Sequence, residues 1–183
     1  MKVIILAAGM GSRMGDLTKD EPKCFLNVYG TTLIERLINQ LRNLGLKDIS
    51  IVTGYKAKKF KFNDINFFYN KEFKTSNMVY SLMKAKKKLN DETLIIYSDI
   101  IVSNKILKKM ISKRYNNKLS VAVDTNWKKY WAFRFKNINQ DLESLQINNK
   151  KEITELGKEL RNIKDIDGRF IGIIRFPKSI NKS

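Results

Sequence analysis

The stretch Leu6-Ala7-Ala8-Gly9-Met10-Gly11-Ser12-Arg13-Met14, with Pro22-Lys23 shortly after it, holds the residues best suited to chemistry in this 183-residue chain. Small residues and two glycines let backbone N–H groups approach a polyphosphate closely, because no side chain stands in the way. Arg13 ends the loop, placed to neutralise phosphate charge and to stabilise an in-line transition state. Lys23, behind the φ-restricting Pro22, offers a second cation. No Gly-Lys-Ser/Thr completes a Walker A loop, and Met14 stands where the dinucleotide fingerprint needs its third glycine. A plain strand-to-helix turn carrying surface cations is the competing reading.

Asp99 is the matching anionic candidate. It follows the apolar run Leu94–Tyr97, and open α/β sheets place their ligands at the carboxyl ends of such strands. Mg²⁺ takes one or two carboxylates plus phosphate oxygens and water, so Asp99 is the candidate metal ligand; capping of the helix expected near Ser103 is its alternative. The chain has no histidine, which removes Ser-His-Asp hydrolysis, imidazole general bases and imidazole metal sites together. Its single cysteine, Cys24, provides neither an intrachain disulfide nor zinc-type spacing. Carboxylates, Lys and Arg, backbone amides or an oxygen-held metal must carry any catalysis.

The elements that position these residues follow from periodicity. Val3–Leu6 is apolar without alternation, as in a strand buried on both faces. Leu33, Ile34, Leu37, Ile38, Leu41 and Leu44 recur at helical spacing between a Thr31-Thr32 cap and a Gly45 stop. Strands are expected at Ile49–Thr53, Ile65–Tyr69, Leu94–Tyr97 and Leu119–Val123, with helices over Asn77–Leu89 and from Ser103 to Tyr115. Beyond residue 125, Trp131–Lys136, Leu142–Ile147, Ile153–Leu156 and Phe170–Phe176 suggest short strands with little helix. The fold expected is α/β: a Rossmann-like, mostly parallel sheet with helices on both faces and an antiparallel C-terminal appendage.

The loop together with Pro22-Lys23 resembles the signature of the nucleotidyltransferases that make sugar nucleotides and related CDP- or UDP-activated compounds. Leu33-Ile34-Glu35-Arg36 and Ile51-Val52-Thr53-Gly54-Tyr55 extend the likeness. Thr75-Ser76-Asn77-Met78-Val79-Tyr80-Ser81-Leu82 is similar to a segment of the phosphocholine cytidylyltransferase-like branch. The resemblance implies a nucleotide-diphospho-sugar transferase-like fold, and places Leu6, Ala7, Ala8, Gly9, Met10, Gly11, Ser12 and Arg13 on base edge and triphosphate. It puts Asn70, Ser76, Asn77 and Tyr80 near base or ribose, has Arg13 and Lys23 grip phosphates, and gives Mg²⁺ to Asp99. The division it suggests is one nucleotidyltransferase domain over 1–183: a nucleotide-binding core, 1–125, and a strand-rich acceptor-side appendage, 126–183. It also implies a second metal carboxylate near the C-terminus, for which this sequence has no clear equivalent before Ser183. A chain shortened at its C-terminus, a single sufficient carboxylate and a non-catalytic nucleotide binder are the three readings of that difference. Asp165 and Asp167 precede a strand and are left unassigned.

The reaction so implied is attack by a phosphate or phosphonate oxygen on the α-phosphorus of a nucleoside triphosphate, with pyrophosphate leaving. A phosphate monoester is largely dianionic near neutral pH and needs no general base, in keeping with the missing histidine. The branch favours CTP with a small phosphorylated amine or amino-acid-like acceptor, such as phosphocholine, aminoethylphosphonate or a phosphoglutamine-like compound. A sugar 1-phosphate with UTP or dTTP is the main rival. Asp124, Trp127 and Trp131 are candidates for a cationic head group, with packing of the appendage as their alternative.

Net charge is +18, and the 28 lysines outnumber the 8 arginines. Compositional bias explains this better than nucleic-acid recognition, which favours Arg and interleaved aromatics; nucleic acid is therefore a disfavoured partner. The lysine runs Lys56–Lys61 and Lys84–Lys88 are read as solvated faces ahead of recognition patches. No apolar run is long enough for a membrane helix, and a cytoplasmic protein is expected. Oligomeric state is not legible.

Overall fold

Every residue from Val3 to Ala8 is buried, and that continuous apolar run becomes the strand at the centre of the sheet. The computed structural model describes residues 1–113, 117–137, 142–159 and 166–178. Its elements in chain order are β1 (Lys2–Ala7), β2 (Asn27–Val28), β3 (Thr31–Thr32), α1 (Leu33–Asn43), β4 (Ile49–Thr53), β5 (Ile65–Tyr69), α2 (Met78–Lys84) and β6 (Thr93–Tyr97). They continue as α3 (Asn104–Met110), β7 (Ser120–Asp124), α4 (Trp127–Arg134), β8 (Glu143–Ile147), β9 (Ile153–Glu159) and β10 (Arg169–Phe176).

The main sheet has the order β5-β4-β1-β6-β10-β7. β5, β4, β1 and β6 are mutually parallel, and β10 runs antiparallel to β6, pairing Ile173 with Ile96 and Phe176 with Thr93. The mostly parallel sheet with added antiparallel strands is the architecture expected from the sequence. Alternate residues of a strand point to opposite faces. Ile4 and Leu6 join Val52, Ile95 and Ala85, with Leu82 and Leu89 packed against them. Val3 and Ile5, on the other face, are equally inaccessible to solvent. α1 buries Leu33, Ile34, Leu37, Ile38 and Leu41, and its start is fixed by a capping box in which Thr32 and Glu35 bond each other's backbone. Because β1, β4, β5 and β6 run in one direction, the loops after them emerge along a single edge.

The chain divides into two compact units, one of Met1–Val121 with the segment from Gly172 onward, the other of Ala122–Ile171. In the first, Arg175 on β10 is completely buried, donating to the carbonyls of Met110 (2.9 Å) and Ser112 and pairing with Glu92. In the second, β8 and β9 form an antiparallel pair, and Trp127, Leu142 and Ile166 make a small core with Trp131 packed against it.

Three expectations are corrected. Trp131–Lys136 is not a strand: Trp127–Arg134 is helical, because a helix puts Trp127 and Trp131, one turn apart, on the same side. The helix expected over Asn77–Leu89 ends at Lys84, where buried Ala85 caps it and Lys86–Lys88 continue as a 3₁₀ turn. The helix expected from Ser103 to Tyr115 ends at Met110, and Tyr115 lies outside the described residues.

Candidate active site at the carboxyl edge of the sheet

The end of β1 is tied into the sheet by its own backbone. The Leu6 carbonyl accepts from Ser98 N–H at 3.2 Å, and the Ala8 carbonyl from Tyr55 N–H at 3.1 Å. The side chains of Leu6, Ala7 and Ala8 are buried, so a ligand here would meet main chain and the residues that follow. Gly54 makes the close approach possible: a Cβ there would lie 2.7 Å from the Ala8 carbonyl oxygen and 2.5 Å from Cβ of Phe73.

From Gly9 the chain leaves the sheet. Gly9 and Ser12 are exposed and Met10 partly so, and Gly11 adopts φ +67°, the left-handed region that glycine tolerates best. The Gly11 carbonyl accepts from Met14 N–H (2.9 Å) and from the Thr18 hydroxyl (2.9 Å). Thr18 is 3% exposed and so clasps the loop from inside. Nothing in its spacing marks it in the sequence, and it was not among the candidates. Arg13 lies exposed in the 3₁₀ segment Ser12–Thr18.

Pro22, with φ −59° and ψ 146°, turns the chain back, and Lys23 opens the 3₁₀ turn Lys23–Phe25. The Lys23 ammonium donates to Oδ2 of Asp99 at 2.7 Å, while Cβ of Lys23 lies 3.0 Å from where a Cβ on Gly11 would stand. Loop, lysine and aspartate are thus brought together. Ser103 caps α3, its side chain accepting from Ile106 N–H, so helix capping is not the role of Asp99. Next to Lys23, Cys24 is 2% exposed; burial pushes its thiol up to about 12, against a lowering hydrogen bond with Ser98. It is a packing residue and not a nucleophile.

The loop after β5 and the first turn of α2 carry the residues assigned to base or ribose. Asn70 is completely buried; its amide donates to Ser76 Oγ (2.8 Å) and Ser81 Oγ (3.0 Å), and its carbonyl oxygen accepts from Glu72 N–H (3.0 Å). It orders the loop from within. Asn77 is the cap of α2, accepting from Tyr80 N–H at 2.9 Å. Tyr80 is 40% exposed, with the Lys84 ammonium bonded to its hydroxyl at 3.0 Å and 4.2 Å from its ring centre. That hydroxyl, and then Glu72, hold the Lys84 ammonium above the usual lysine range.

Asp124, Trp127 and Trp131 belong to the second unit. Asp124 accepts from Asn126 N–H at 2.8 Å. Trp127 is 2% exposed, and the Arg169 guanidinium lies 4.0 Å from the Trp131 ring centre. The aromatic surface expected to meet a cationic head group is covered, on Trp131, by the chain's own cation. Asp167 accepts from Ile147 N–H at 2.7 Å, and Asp165 lies outside the described residues.

Among the described residues no three of His, Cys, Asp or Glu converge on one point. The donor set at the edge is one carboxylate, Asp99, bonded to the Lys23 ammonium, with Lys23 packed against the Gly11 turn. That set fits a magnesium ion whose remaining ligands are phosphate oxygens and water, and does not make a metal cage by itself. No helix among the described residues is long and apolar enough to cross a membrane.

A family model described as a MobA-like NTP transferase domain matches residues 3–159. The CTP:phosphoglutamine cytidylyltransferase of Campylobacter jejuni is 34% identical over 187 residues, covering 96% of this chain and 73% of that protein. The choline-phosphate cytidylyltransferase of Haemophilus influenzae is 33% identical over 132 residues, 69% of this chain and 56% of that protein. The solved CTP:phosphocholine cytidylyltransferase from Streptococcus pneumoniae superposes with a TM-score of 0.71 at 22% identity, covering 96% of this chain and 70% of that one.

Proposed function

The chain belongs to the MobA-like NTP transferase family, and from that premise we propose that it is a cytidylyltransferase joining CTP to a small phosphorylated acceptor with release of pyrophosphate. The observation that carries this reading is the meeting of Gly11, Lys23 and Asp99 at the carboxyl end of β1. Relatives named for CTP with phosphoglutamine and phosphocholine support the choice of nucleotide and acceptor class.

In this mechanism an anionic phosphate oxygen of the acceptor forms a bond to the α-phosphorus of CTP. The bond from that phosphorus to the α–β bridging oxygen breaks, and pyrophosphate leaves with the electron pair. The acceptor oxygen carries its charge already, so no side chain removes a proton. The work of the protein is alignment and charge neutralisation. Main-chain amides of Gly9–Ser12 hold the triphosphate, Arg13 neutralises the charge that grows toward the leaving group, and Lys23 holds the acceptor phosphate in line. Before substrates bind, the Lys23 ammonium offsets the Asp99 carboxylate. Asp99, with phosphate oxygens and water, would hold Mg²⁺, which supplies further charge neutralisation when bound. The proposed compartment is the cytoplasm, the source of nucleoside triphosphates.

The test is a thermal-shift panel of CTP, UTP, GTP, ATP and dTTP with Mg²⁺, followed by pyrophosphate release with CTP and phosphocholine, aminoethylphosphonate or phosphoglutamine. A ligand at 100 times its dissociation constant stabilises by about 2.7 kcal/mol. Selective stabilisation by CTP and acceptor-dependent pyrophosphate release are expected. Selective stabilisation by UTP or dTTP would redirect the acceptor to sugar phosphates, and CTP binding without turnover would leave a nucleotide binder.

A further inference from the structure

Beyond the ends of β4 and β5 the first unit holds an open cavity of about 580 Å³, lined by Gly54, Lys56, Lys58, Lys59, Tyr69 and Phe73 among others. It shares no lining residue with the groups assigned above to nucleotide, metal or acceptor. Tyr69 is 52% exposed at the end of its strand, and the Phe73 ring packs 6.2 Å from that of Tyr55. Three lysines lie within four positions. Lys56 pairs with Asp20 at 3.7 Å and Lys59 with Glu21 at 2.9 Å; Lys58 has no ion-pair partner among the described residues. Lys56 is held at φ +49° with its ammonium 5.7 Å from the Tyr55 ring centre, a backbone conformation unfavourable for lysine. Three cations are thus gathered beside the exposed Tyr69 ring and the partly buried Phe73 ring. They suit a ligand that is flat at one end and anionic at the other.

We propose that this cavity binds a small aromatic phosphate, its ring against Tyr69 and Phe73 and its phosphate on Lys56, Lys58 and Lys59, as a site separate from the Gly9–Arg13 loop. Lys56–Lys61 is then a recognition element and not the solvated face its sequence suggests. Occupancy has a route to the loop. Asp20 and Glu21 lie on the segment joining Thr18 to Lys23, and that segment is tied to the cavity by their two ion pairs and by the Tyr55 hydroxyl, which donates to the Lys19 carbonyl. Exposed ion pairs hold weakly, so a bound phosphate competes with both carboxylates and loosens the segment.

The experiment is a fluorescence titration of the full chain with 1-naphthyl phosphate, with inorganic phosphate as competitor, in the wild type and in Lys58→Glu, Tyr69→Ser and Arg13→Ala. Saturable binding is expected, weakened ~10-fold or more by Lys58→Glu and by Tyr69→Ser and unchanged in Arg13→Ala, with inorganic phosphate competing only at much higher concentration. Both cavity positions face solvent; melting curves coincident with the wild type establish that the variants fold, and Lys58→Gln replaces Lys58→Glu if its curve shifts. Absence of saturable binding overturns the proposal, as does binding indifferent to both cavity variants or lost in Arg13→Ala. Equal competition by inorganic phosphate overturns the aromatic part of the recognition. None of these readouts depends on nucleotide turnover, so the proposed transferase activity stands or falls separately.

Discussion

Lys23 and Asp99, 76 positions apart in the chain, meet at 2.7 Å between ammonium and carboxylate, each about one-third exposed. At that exposure the pair is screened by water and contributes no more than about 1 kcal/mol to folding. Lys23→Ala is therefore expected to leave the urea midpoint nearly unchanged while lowering turnover ~10²-fold or more, the usual effect of removing one transition-state charge partner. Steady-state pyrophosphate release beside equilibrium unfolding measures both. A loss of stability as large as the loss of activity would make the pair structural.

Arg13 stands exposed beyond the Gly11 turn. Arg13→Ala is expected to lower turnover by ~10²–10³-fold with little change in melting temperature, and full activity in that variant would remove Arg13 from the mechanism.

Thr18 holds the Gly11 carbonyl through one hydroxyl. Thr18→Val keeps the shape and deletes the bond, leaving a part-buried acceptor less well satisfied at a cost of about 1 kcal/mol. The expected result is a raised KM for the nucleotide, with Thr18→Ser restoring the wild-type value. Equal KM in valine and serine variants would show that the loop does not need the clasp.

At Gly54 the obstacle is steric, since an added methyl would meet Phe73 at 2.5 Å and the Ala8 oxygen at 2.7 Å. Gly54→Ala is expected to destabilise the fold by ~1–3 kcal/mol, the range for overpacking, and to weaken nucleotide binding through the displaced Ala8. Urea unfolding gives the first quantity and a nucleotide titration the second.

Cys24 supplies a pH dependence. Burial raises its thiol from 9.0 in an unfolded setting to about 12 in the fold. Between those values the unfolded chain gives up a proton that the folded chain keeps, so the unfolded state gains and stability falls as pH rises. The contribution is fully present below pH 9 and lost on approach to pH 12. Native protein should resist a thiol reagent at pH 8 and react fully in urea, and Cys24→Ala should flatten the alkaline fall in melting temperature.

The strands were legible where β-branched and aromatic residues run together, whether buried throughout as in Ile49–Thr53 or largely exposed as in Ile65–Tyr69. Ile49–Thr53 and Ile65–Tyr69 appear with the bounds that periodicity predicts, and the Thr32 cap of α1 follows from residue types. α4 was not legible, because Trp, Tyr and Phe favour strands locally; what makes it helical is the meeting of Trp127 and Trp131 with Leu142 and Ile166, distant in the chain. The loop, Lys23 and Asp99 announce themselves through glycine, proline and strand-end placement. Thr18 and Gly54 do not, since the importance of each lies in one contact to a neighbour that only the fold supplies. Asn70, which the resemblance puts near base or ribose, lies wholly buried, its amide bonded to Ser76 and to Ser81 of α2 and its carbonyl oxygen to Glu72 N–H, a bracing role its residue type alone does not reveal.

The antiparallel seat of β10 bears on how the chain is made. As synthesis proceeds from the N-terminus, β6 leaves the ribosome with the edge of Leu94–Ile96 unpaired, and it stays so until Arg169–Phe176 has emerged to cover it. Glu92 and the carbonyls of Met110 and Ser112 wait equally for Arg175. An apolar strand edge left open is a template for pairing with other chains, so nascent chains halted before Ile173 would be natural clients of chaperones that shield such edges.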